Sequence, residues 1–314
     1  MLVTLNACAV VDSIVPFRAM LSEIRVVIVG LGLMGGSLAR ALRPHVRCLI
    51  AIDRSEATRS QIVAEGIADE ARAELDGMQL TRQDLVILAT PVSNIIYHIR
   101  MLPRLAPRGC MLMDIGSTKL DICLAMNDLP GWFQAIGAHP MCGKEVSGYA
   151  NSSAELYQNQ TFILTPTVRT TPHLQELLLE IIKVVGAVPV TLPPKEHDQT
   201  VALISHLPYL LAATLMQQAS MAAETYADPN VVWHVSASGF RDTSRVSGSS
   251  PAMMRDILLT NQQAVLQQLL RYQRELSNVI DMVNDGDPDR VAKWLSEKQA
   301  MHQHYRKVKT TGVT

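Results

Sequence analysis

Residues 24–37 read Ile-Arg-Val-Val-Ile-Val-Gly-Leu-Gly-Leu-Met-Gly-Gly-Ser, an apolar run followed by a glycine-rich loop. The apolar run has the length and the β-branched composition of a buried strand. The loop spaces Gly30, Gly32 and Gly35 as G-x-G-x-x-G, and helical spacing of apolar residues continues over residues 34–42. A strand, this loop and a helix, in that order, predict the first βαβ unit of a dinucleotide-binding domain.

Short apolar runs and helical runs alternate through the first 192 residues, which is the pattern of repeated βαβ units. Strands are predicted at residues 24–29, 48–52, 84–89, 110–114, 161–164 and 188–191. After Pro193-Pro194 apolar residues recur only at helical spacing, including one long stripe over residues 258–283. The predicted fold class is α/β. A doubly wound, Rossmann-like, mostly parallel sheet occupies residues 23–192, an all-α helical dimerisation domain occupies residues 193–314, and residues 1–22 form a disordered extension.

Composition excludes several classes of partner. A net charge of −1 over 314 residues provides no basic field for nucleic acid or an anionic membrane surface. The five cysteines lack metal-binding or paired spacing, so we expect no metal site and free thiols in a reducing cytoplasm. Residues 199–223 carry no charged side chain, but they include Ser205, His206 and two glutamines, which are costly in lipid. We therefore expect a buried helix of a soluble protein there, and no membrane span.

The glycine loop and the ends of two strands supply candidate cofactor contacts. The glycines permit a tight turn and close approach of a pyrophosphate to the helix N-terminus. Asp53 ends the second strand, where its carboxylate can accept both ribose hydroxyls and would repel a 2′-phosphate. This favours NAD, while the adjacent Arg54 leaves NADP open. The predicted contacts are Gly30, Leu31, Gly32, Leu33, Met34, Gly35, Asp53, Arg54, Thr90 and Pro91.

Two motifs are predicted at the carboxyl edge of the sheet, where open α/β sheets bind ligands. Residues 114–119 read Asp-Ile-Gly-Ser-Thr-Lys, in which Ser117 is either a helix N-cap or a site residue. Residues 137–145 read Gly-Ala-His-Pro-Met-Cys-Gly-Lys-Glu. The proline and glycines predict an irregular loop that presents His139 at this edge. Cys142 has no evident base partner, and we interpret it as a packed thiol.

Polar residues also occur in the second half of the chain. His197 and His206 are nine residues apart, which places them on opposite faces of a regular helix, so joint metal ligation is not expected. Pro208 is predicted to kink this helix near His206. Further on, Arg241 and Arg245 can lie on one side of a helical turn. Guanidinium groups bind carboxylates bidentately, so a dicarboxylic acid is the predicted substrate class.

Five blocks, at residues 30–37, 114–119, 137–145, 197–208 and 239–246, resemble those of the prephenate and arogenate dehydrogenase family of tyrosine biosynthesis. The resemblance implies NAD-dependent oxidative decarboxylation of prephenate to 4-hydroxyphenylpyruvate and CO2. It implies that His139 is catalytic, that Ser117 hydrogen-bonds His139 and the substrate hydroxyl, and that Arg245 binds a substrate carboxylate. The further residues assigned to the substrate are Arg241, His206, Tyr209 and Lys144. Many members have Thr in place of Lys144 and a second His in place of Tyr209, which leaves the choice between prephenate and arogenate open.

Three other functions share features with this sequence. An arogenate dehydrogenase would give tyrosine directly. The glycine loop is also similar to that of the β-hydroxyacid dehydrogenases, but their substrate block and catalytic lysine have no good match. A cofactor-sensing regulator would not need His139, Ser117 and Arg245 together. The apolar stripes of the helical half exceed what one sheet domain can cover, so a homodimer is expected.

Overall fold

The computed structural model of the chain, which describes residues 20–144 and 146–311, contains one eight-stranded sheet. Its strands are β1 (Arg25–Val29), β2 (Cys48–Ile52), β3 (Glu70–Arg72), β4 (Asp84–Leu88), β5 (Met111–Asp114), β6 (Gln134–Pro140), β7 (Thr161–Pro166) and β8 (Val188–Thr191). Their order is β3-β2-β1-β4-β5-β6-β7-β8, and all pairs are parallel except β6 with β7. The predicted doubly wound, mostly parallel sheet is confirmed.

Twelve α-helices complete the described part of the chain. They are α1 (Leu33–Leu42), α2 (Glu56–Ala64), α3 (Val92–Leu105), α4 (Leu120–Asn127), α5 (Pro172–Val184), α6 (Pro194–Val201), α7 (Leu207–Ala223), α8 (Val231–His234), α9 (Ser238–Ser244), α10 (Pro251–Thr260), α11 (Gln262–Asp285) and α12 (Pro288–Thr311). The first five belong to the sheet domain. The other seven follow β8, and no strand lies among them in the described residues, as the helical periodicity predicts.

Strand β1 is apolar from Val26 to Val29 because both faces of the sheet are covered. Val26 and Ile28 belong to one buried cluster, together with residues of α1 and α5. Val27 and Val29 belong to the other, together with residues of α3 and α4. Successive strand residues point to opposite faces, so this double burial gives a continuous apolar run and not an alternating one.

Three predictions about secondary structure are corrected. The short polar strand β3 was not predicted, because three residues without an apolar pattern give no strand signal. The long stripe over residues 258–283 is divided at Asn261, where α10 ends and α11 begins. The prediction that residues 1–22 are disordered is wrong for residues 20–22, which belong to a 3-10 turn, Met20–Glu23. Leu21 is 1% exposed and joins the sheet-domain core, while residues 1–19 lie outside the described part.

The stretch Pro194–Ala223 is a nearly continuous helix that is long and apolar enough, by length and composition, to cross a membrane. Only 28% of its most apolar window is buried within one chain. The prediction of a buried helix is therefore wrong for a single chain. Leu203, Ile204, Leu215 and Met221 are among its exposed apolar side chains.

Candidate active site

The glycine loop between β1 and α1 forms a cradle. Gly30 has φ +94°, and a Cβ there would lie 2.8 Å from the carbonyl oxygen of Ala89. A Cβ at Gly35 would lie 1.9 Å from the carbonyl oxygen of Gly30, so neither position accepts a side chain. A Cβ at Gly32 would meet nothing within 4 Å. The loop is thus closed on the protein side and open at Gly32, as an approaching phosphate group requires.

Asp53 braces this loop from the end of β2. Its Oδ2 accepts a hydrogen bond from the backbone N–H of Leu31 at 2.8 Å, and its Oδ1 accepts one from Ser55 N–H at 2.9 Å. The Asp53 carboxylate therefore fixes the conformation of the loop, and Asp53 also lines an adjacent cleft. Ser55 also caps α2, since its hydroxyl oxygen accepts from Thr58 N–H at 3.2 Å, as serine commonly does at a helix N-cap.

A cleft of about 470 Å³ opens along the carboxyl ends of β1, β2 and β4. Six of the ten predicted cofactor residues line it, namely Gly30, Gly32, Asp53, Arg54, Thr90 and Pro91. The other four, Leu31, Leu33, Met34 and Gly35, build the loop and the start of α1. Among the described residues, Thr90 Oγ1 is buried without a hydrogen-bond partner. The orphaned hydroxyl and the open face at Gly32 fit a polar ligand such as a dinucleotide.

His139 lies on strand β6 and not on the predicted loop. β6 is parallel to β5 only through Ile136, but it continues because β7 pairs with it antiparallel, with His139 opposite Ile163. Long-range pairing thus extends the strand through His139 to Pro140, where a loop was predicted. His139 still lies at the carboxyl edge of the sheet, two residues past Gly137, and its side chain is half-buried.

The ring of His139 contacts a second histidine. Its Nδ1 lies 2.8 Å from Nε2 of His197, and Nδ1 of His197 lies 2.7 Å from Oδ1 of Asp198. Burial, and then the charges of His197, Lys119 and His206, lower the pKa of His139 well below its usual 6.5. Burial also lowers the pKa of His197, against the opposing effect of Asp198. His139 is therefore a neutral imidazole at physiological pH, which suits a proton acceptor.

A fully buried ion pair lies beside this histidine. Lys119 Nζ bonds Oδ2 of Asp114, and both side chains are 0% exposed. The lysine also donates to the carbonyl oxygen of Thr118 at 2.9 Å. Asp114 accepts from Gly116 N–H at 2.7 Å and from Ala138 N–H at 3.2 Å, which ties β5 to β6. The pair thus supports the backbone on which His139 lies.

The helical domain contributes to the site through a π turn, Ala202–His206, between α6 and α7. The distortion predicted at Pro208 takes this form, and the wider turn rotates His206 away from its position on a regular helix. His206 is 1% exposed, and burial lowers its pKa to about 4. The charge of His206 lowers the pKa of His139, and the charge of His197 lowers the pKa of His206. His206 is therefore close enough to both histidines to interact with them electrostatically.

Four hydrogen bonds join α10 and the residue after it to the sheet domain, to α6 and to the π turn. Asp256 accepts from Ser93 N–H at 3.0 Å, and the hydroxyls of Thr118 and Thr260 are 2.9 Å apart. Asn261 Nδ2 donates to the carbonyl oxygen of Asp198 at 2.8 Å and lies 3.3 Å from Nδ1 of His206. These contacts fix the helical domain against the edge that carries His139.

The remaining predicted site residues occupy exposed or half-buried positions. Arg241, paired with Asp242 at 3.2 Å, and Arg245 are exposed on α9 and the 3-10 turn that follows it. Tyr209 is half-buried on α7, and Lys144 is exposed. Ser117 is half-buried, and the hydrogen bond that the structure gives His139 goes to His197 instead. Glu145, at the end of its block, lies outside the described residues.

Sequence reasoning missed several residues of this site. Lys119 is the last residue of the motif at 114–119, and its spacing from Asp114 gives no sign that the two form a buried pair. Asp198 has no role in the sequence analysis, but its carboxylate caps α4 and not its own helix. Asn261 carries no local signal. Cys142 packs against the core as predicted, and burial raises its thiol pKa to about 12.

The cleft, the cradle and the buried histidine define an α/β dinucleotide-binding protein of the dehydrogenase type with a helical second domain. Two family models match consecutive parts of the chain: "Prephenate dehydrogenase, nucleotide-binding domain" over residues 38–191 and "Prephenate dehydrogenase, dimerization domain" over residues 193–297. The chain belongs to the prephenate dehydrogenase family.

Relatives span most of the chain. The prephenate dehydrogenase of Bacillus subtilis is 34% identical over 277 residues, which are 86% of this chain and 73% of that protein. A crystal structure of Aquifex aeolicus prephenate dehydrogenase with hydroxyphenyl propionate and NAD+ has a TM-score of 0.81 at 28% identity, and the match covers 91% of this chain and 99% of that one. The structure of Synechocystis arogenate dehydrogenase has a TM-score of 0.75 at 30% identity, with 90% and 99% covered.

Proposed function

We propose that this protein oxidises prephenate with NAD, giving 4-hydroxyphenylpyruvate and CO2. The observation that carries the proposal is the neutral, half-buried His139 at the ligand-binding edge of the sheet, in a chain that belongs to the prephenate dehydrogenase family. The names of curated relatives, including the Bacillus subtilis protein, favour prephenate over arogenate. An Aquifex aeolicus relative with NAD+ bound supports the choice of cofactor.

The proposed reaction combines hydride transfer, proton transfer and decarboxylation. Gly32 and Asp53 would hold NAD, which when bound would supply the acceptor for a hydride from the carbinol carbon of the substrate. His139 takes the hydroxyl proton, so that the carbinol becomes a carbonyl. Loss of the ring carboxylate as CO2 then leaves an aromatic phenolate, to which the proton returns. Because the electron pair of the broken C–C bond enters the aromatic ring, the step is irreversible. Ser117, at the same edge, is the candidate partner of the substrate hydroxyl.

The direct test follows reduced cofactor spectroscopically with prephenate and NAD, and compares arogenate and a β-hydroxyacid as substrates. We expect efficient turnover only with the cyclohexadienyl compounds, with prephenate preferred. Turnover of the β-hydroxyacid alone would replace the proposal by the alternative dehydrogenase. Absence of turnover with all three substrates, together with tight NAD binding, would indicate a cofactor-sensing regulator.

The kcat of the enzyme should stay constant as pH falls through 6.5 and decline only at lower pH. The base must be neutral, and burial makes the His139 cation costly, so proton binding requires a more acidic solution than for a free histidine. Initial rates at saturating substrate, measured from about pH 8 to about pH 5, test this. A decline centred at 6.5 or above would show that His139 is more solvated than its surroundings indicate.

NAD should be preferred over NADP, because Asp53 occupies the position that reads the ribose. Asp53→Ser should narrow the ratio of kcat/KM values for the two cofactors. It should also raise the KM for NAD, because the Leu31 and Ser55 hydrogen bonds are lost. Glu56→Ser, an exposed acidic neighbour on α2, is the matched control. A tenfold preference of the wild type for NADP would refute the assignment and point to Arg54.

Arg245 is proposed to anchor a substrate carboxylate, with Arg241, His206, Tyr209 and Lys144 as further candidates around the side chain. Arg245→Ala removes a bidentate contact of roughly 1.5 to 3 kcal/mol. KM for prephenate should therefore rise about ten- to a hundredfold with little change in kcat. Arg82→Ala, at the opposite edge of the sheet before β4, should leave KM unchanged. An unaltered KM in Arg245→Ala would remove Arg245 from the site.

A cytoplasmic homodimer is the proposed assembly. Apolar side chains on α7, α11 and α12 are exposed in one chain, including Met221, Leu266, Ile280 and Leu295. The dimerization-domain model that matches residues 193–297 covers α7, α11 and most of the exposed apolar surface. Pairing of two copies would bury this surface, which a single chain leaves in contact with water.

A further inference from the structure

A chain of hydrogen bonds leads from His139 to the N-terminus of another helix. His197, 0% exposed, lies between His139 at 2.8 Å and Asp198 at 2.7 Å. Asp198, 3% exposed, also accepts backbone N–H groups, from Lys119 at 2.7 Å on Oδ1 and from Leu120 at 2.9 Å on Oδ2. These two amides begin α4, whose partial positive end favours a carboxylate. The backbone therefore fixes the orientation of Asp198.

This geometry places each proton. A backbone N–H can only donate, so the carboxylate of Asp198 acts as an acceptor towards both amides and towards His197. His197 therefore carries its proton on Nδ1. A neutral imidazole has one N–H, which leaves Nε2 of His197 as an acceptor. The partner nitrogen, Nδ1 of His139, must then be the donor, and Nε2 of His139 keeps its lone pair.

We infer that His197 and Asp198 are positioning residues that hold His139 in the tautomer whose Nε2 accepts the substrate proton. This inference deepens the proposed function and rests on His139 as the base. No reorganisation of the chain is needed when His139 takes the proton, because the His139 cation still donates from Nδ1 to His197. The positive charge is then stabilised through His197 by the negative charge of Asp198, as in other oriented histidine bases.

Neighbouring groups do not perform this task. Lys119 Nζ is engaged with Asp114 and the Thr118 carbonyl, so it does not bond His139. His206 Nδ1 lies 3.3 Å from Asn261. An Nε2 with a free lone pair is also the acceptor that a substrate hydroxyl needs. The order in which Asp198, His197 and His139 bond one another therefore sets which nitrogen is the base.

The tautomer can be measured without substrate, by nitrogen-15 NMR of the full-length protein labelled at histidine. Loss of one resonance pair in His139→Asn assigns the ring of His139 among the nine histidines. We expect the proton on Nδ1 and none on Nε2 in the wild type at neutral pH. A proton on Nε2 overturns the inference, and it does so whether or not prephenate is the substrate.

Kinetics supply the second test. His197→Leu removes the acceptor while keeping bulk, and kcat should fall on the order of 10- to 10²-fold, less than for loss of the base itself, with KM within about twofold. His197→Gln offers an amide oxygen to His139 and an N–H to Asp198, and it should recover most of kcat. Glu196→Gln, on the exposed side of α6, is the control. Wild-type kcat in His197→Leu, or equal losses in the Leu and Gln variants, contradicts a positioning role.

Failure of the two proposals is distinguishable. If the wild type does not oxidise prephenate but His139 shows the Nδ1–H tautomer, the proposed function fails and the positioning role stands. If prephenate is oxidised and the tautomer is reversed, the positioning role fails and the function stands. Should His197→Leu not fold, as judged by circular dichroism, the wild-type tautomer remains decisive.

Discussion

His139→Asn should lower kcat for prephenate by about 10²- to 10⁴-fold while KM changes little. Asparagine keeps a similar size and one hydrogen bond to His197 but cannot take a proton, and general-base catalysis contributes about this factor. The substrate carboxylates do not bond the imidazole in the proposed arrangement, so ground-state binding should persist. Steady-state rates with saturating NAD measure the effect.

The matched control for this variant is His45→Asn, at an exposed histidine before β2, which should keep full activity. His139→Asn should also lose the acidic decline of kcat, because the titrating group is gone. A variant that retains most of its kcat would show that His139 is not the base. His206, buried nearby, would then be the next residue to test.

Lys119→Met should lower the free energy of unfolding by about 3 to 5 kcal/mol. The substitution keeps the length of the side chain but leaves the carboxylate of Asp114 buried without its cation, which is the costly way to break a buried pair. Burial already raises the pKa of Asp114 against the opposing effect of Lys119, so Asp114 should become protonated at higher pH in the variant. Urea denaturation at a fixed protein concentration measures the loss.

The double variant Asp114→Asn with Lys119→Met is the control, since it removes both charges. The double variant should recover much of the stability, because no uncompensated charge is then buried. Comparison of the single and double variants gives the interaction energy between Asp114 and Lys119. Lys119→Met should also move the pKa of His139 back towards its usual value, since the Lys119 charge lowers it. A loss below about 1 kcal/mol would mean that water reaches Asp114 in the variant.

Local sequence was sufficient for most strands of the sheet domain. The apolar runs of β1, β2 and β4 lie where predicted, because a strand buried on both faces needs only a short, recognisable apolar pattern. Where the pattern was absent, prediction failed. β3 has three half-exposed or exposed residues and forms only because β2 offers a free edge.

The sequence predicted where the site lies on the sheet. It predicted fewer of the contacts among the site residues. Strand direction alone puts the ends of β1, β2, β4 and β5 at one edge, so six of the ten predicted cofactor residues line the cleft. The strand conformation at His139 could not be predicted from local sequence, because β7, the antiparallel partner that extends β6, begins over twenty residues later. The roles of Arg241 and Arg245, which are both exposed, remain predictions, because a motif gives a residue type without its surroundings.

The sequence by itself determined most of the strands and helices, the glycine cradle and the identity of the candidate base, since each depends on residues close together in the chain. Only the tertiary structure decided how that base is held. His197 reaches His139 across 58 residues, and Asp198 caps α4 across 79. A buried charge or imidazole must find its partners within the folded protein. Spacing along the chain encodes the geometry of a turn or a helix, but it does not encode which distant turn supplies the partner.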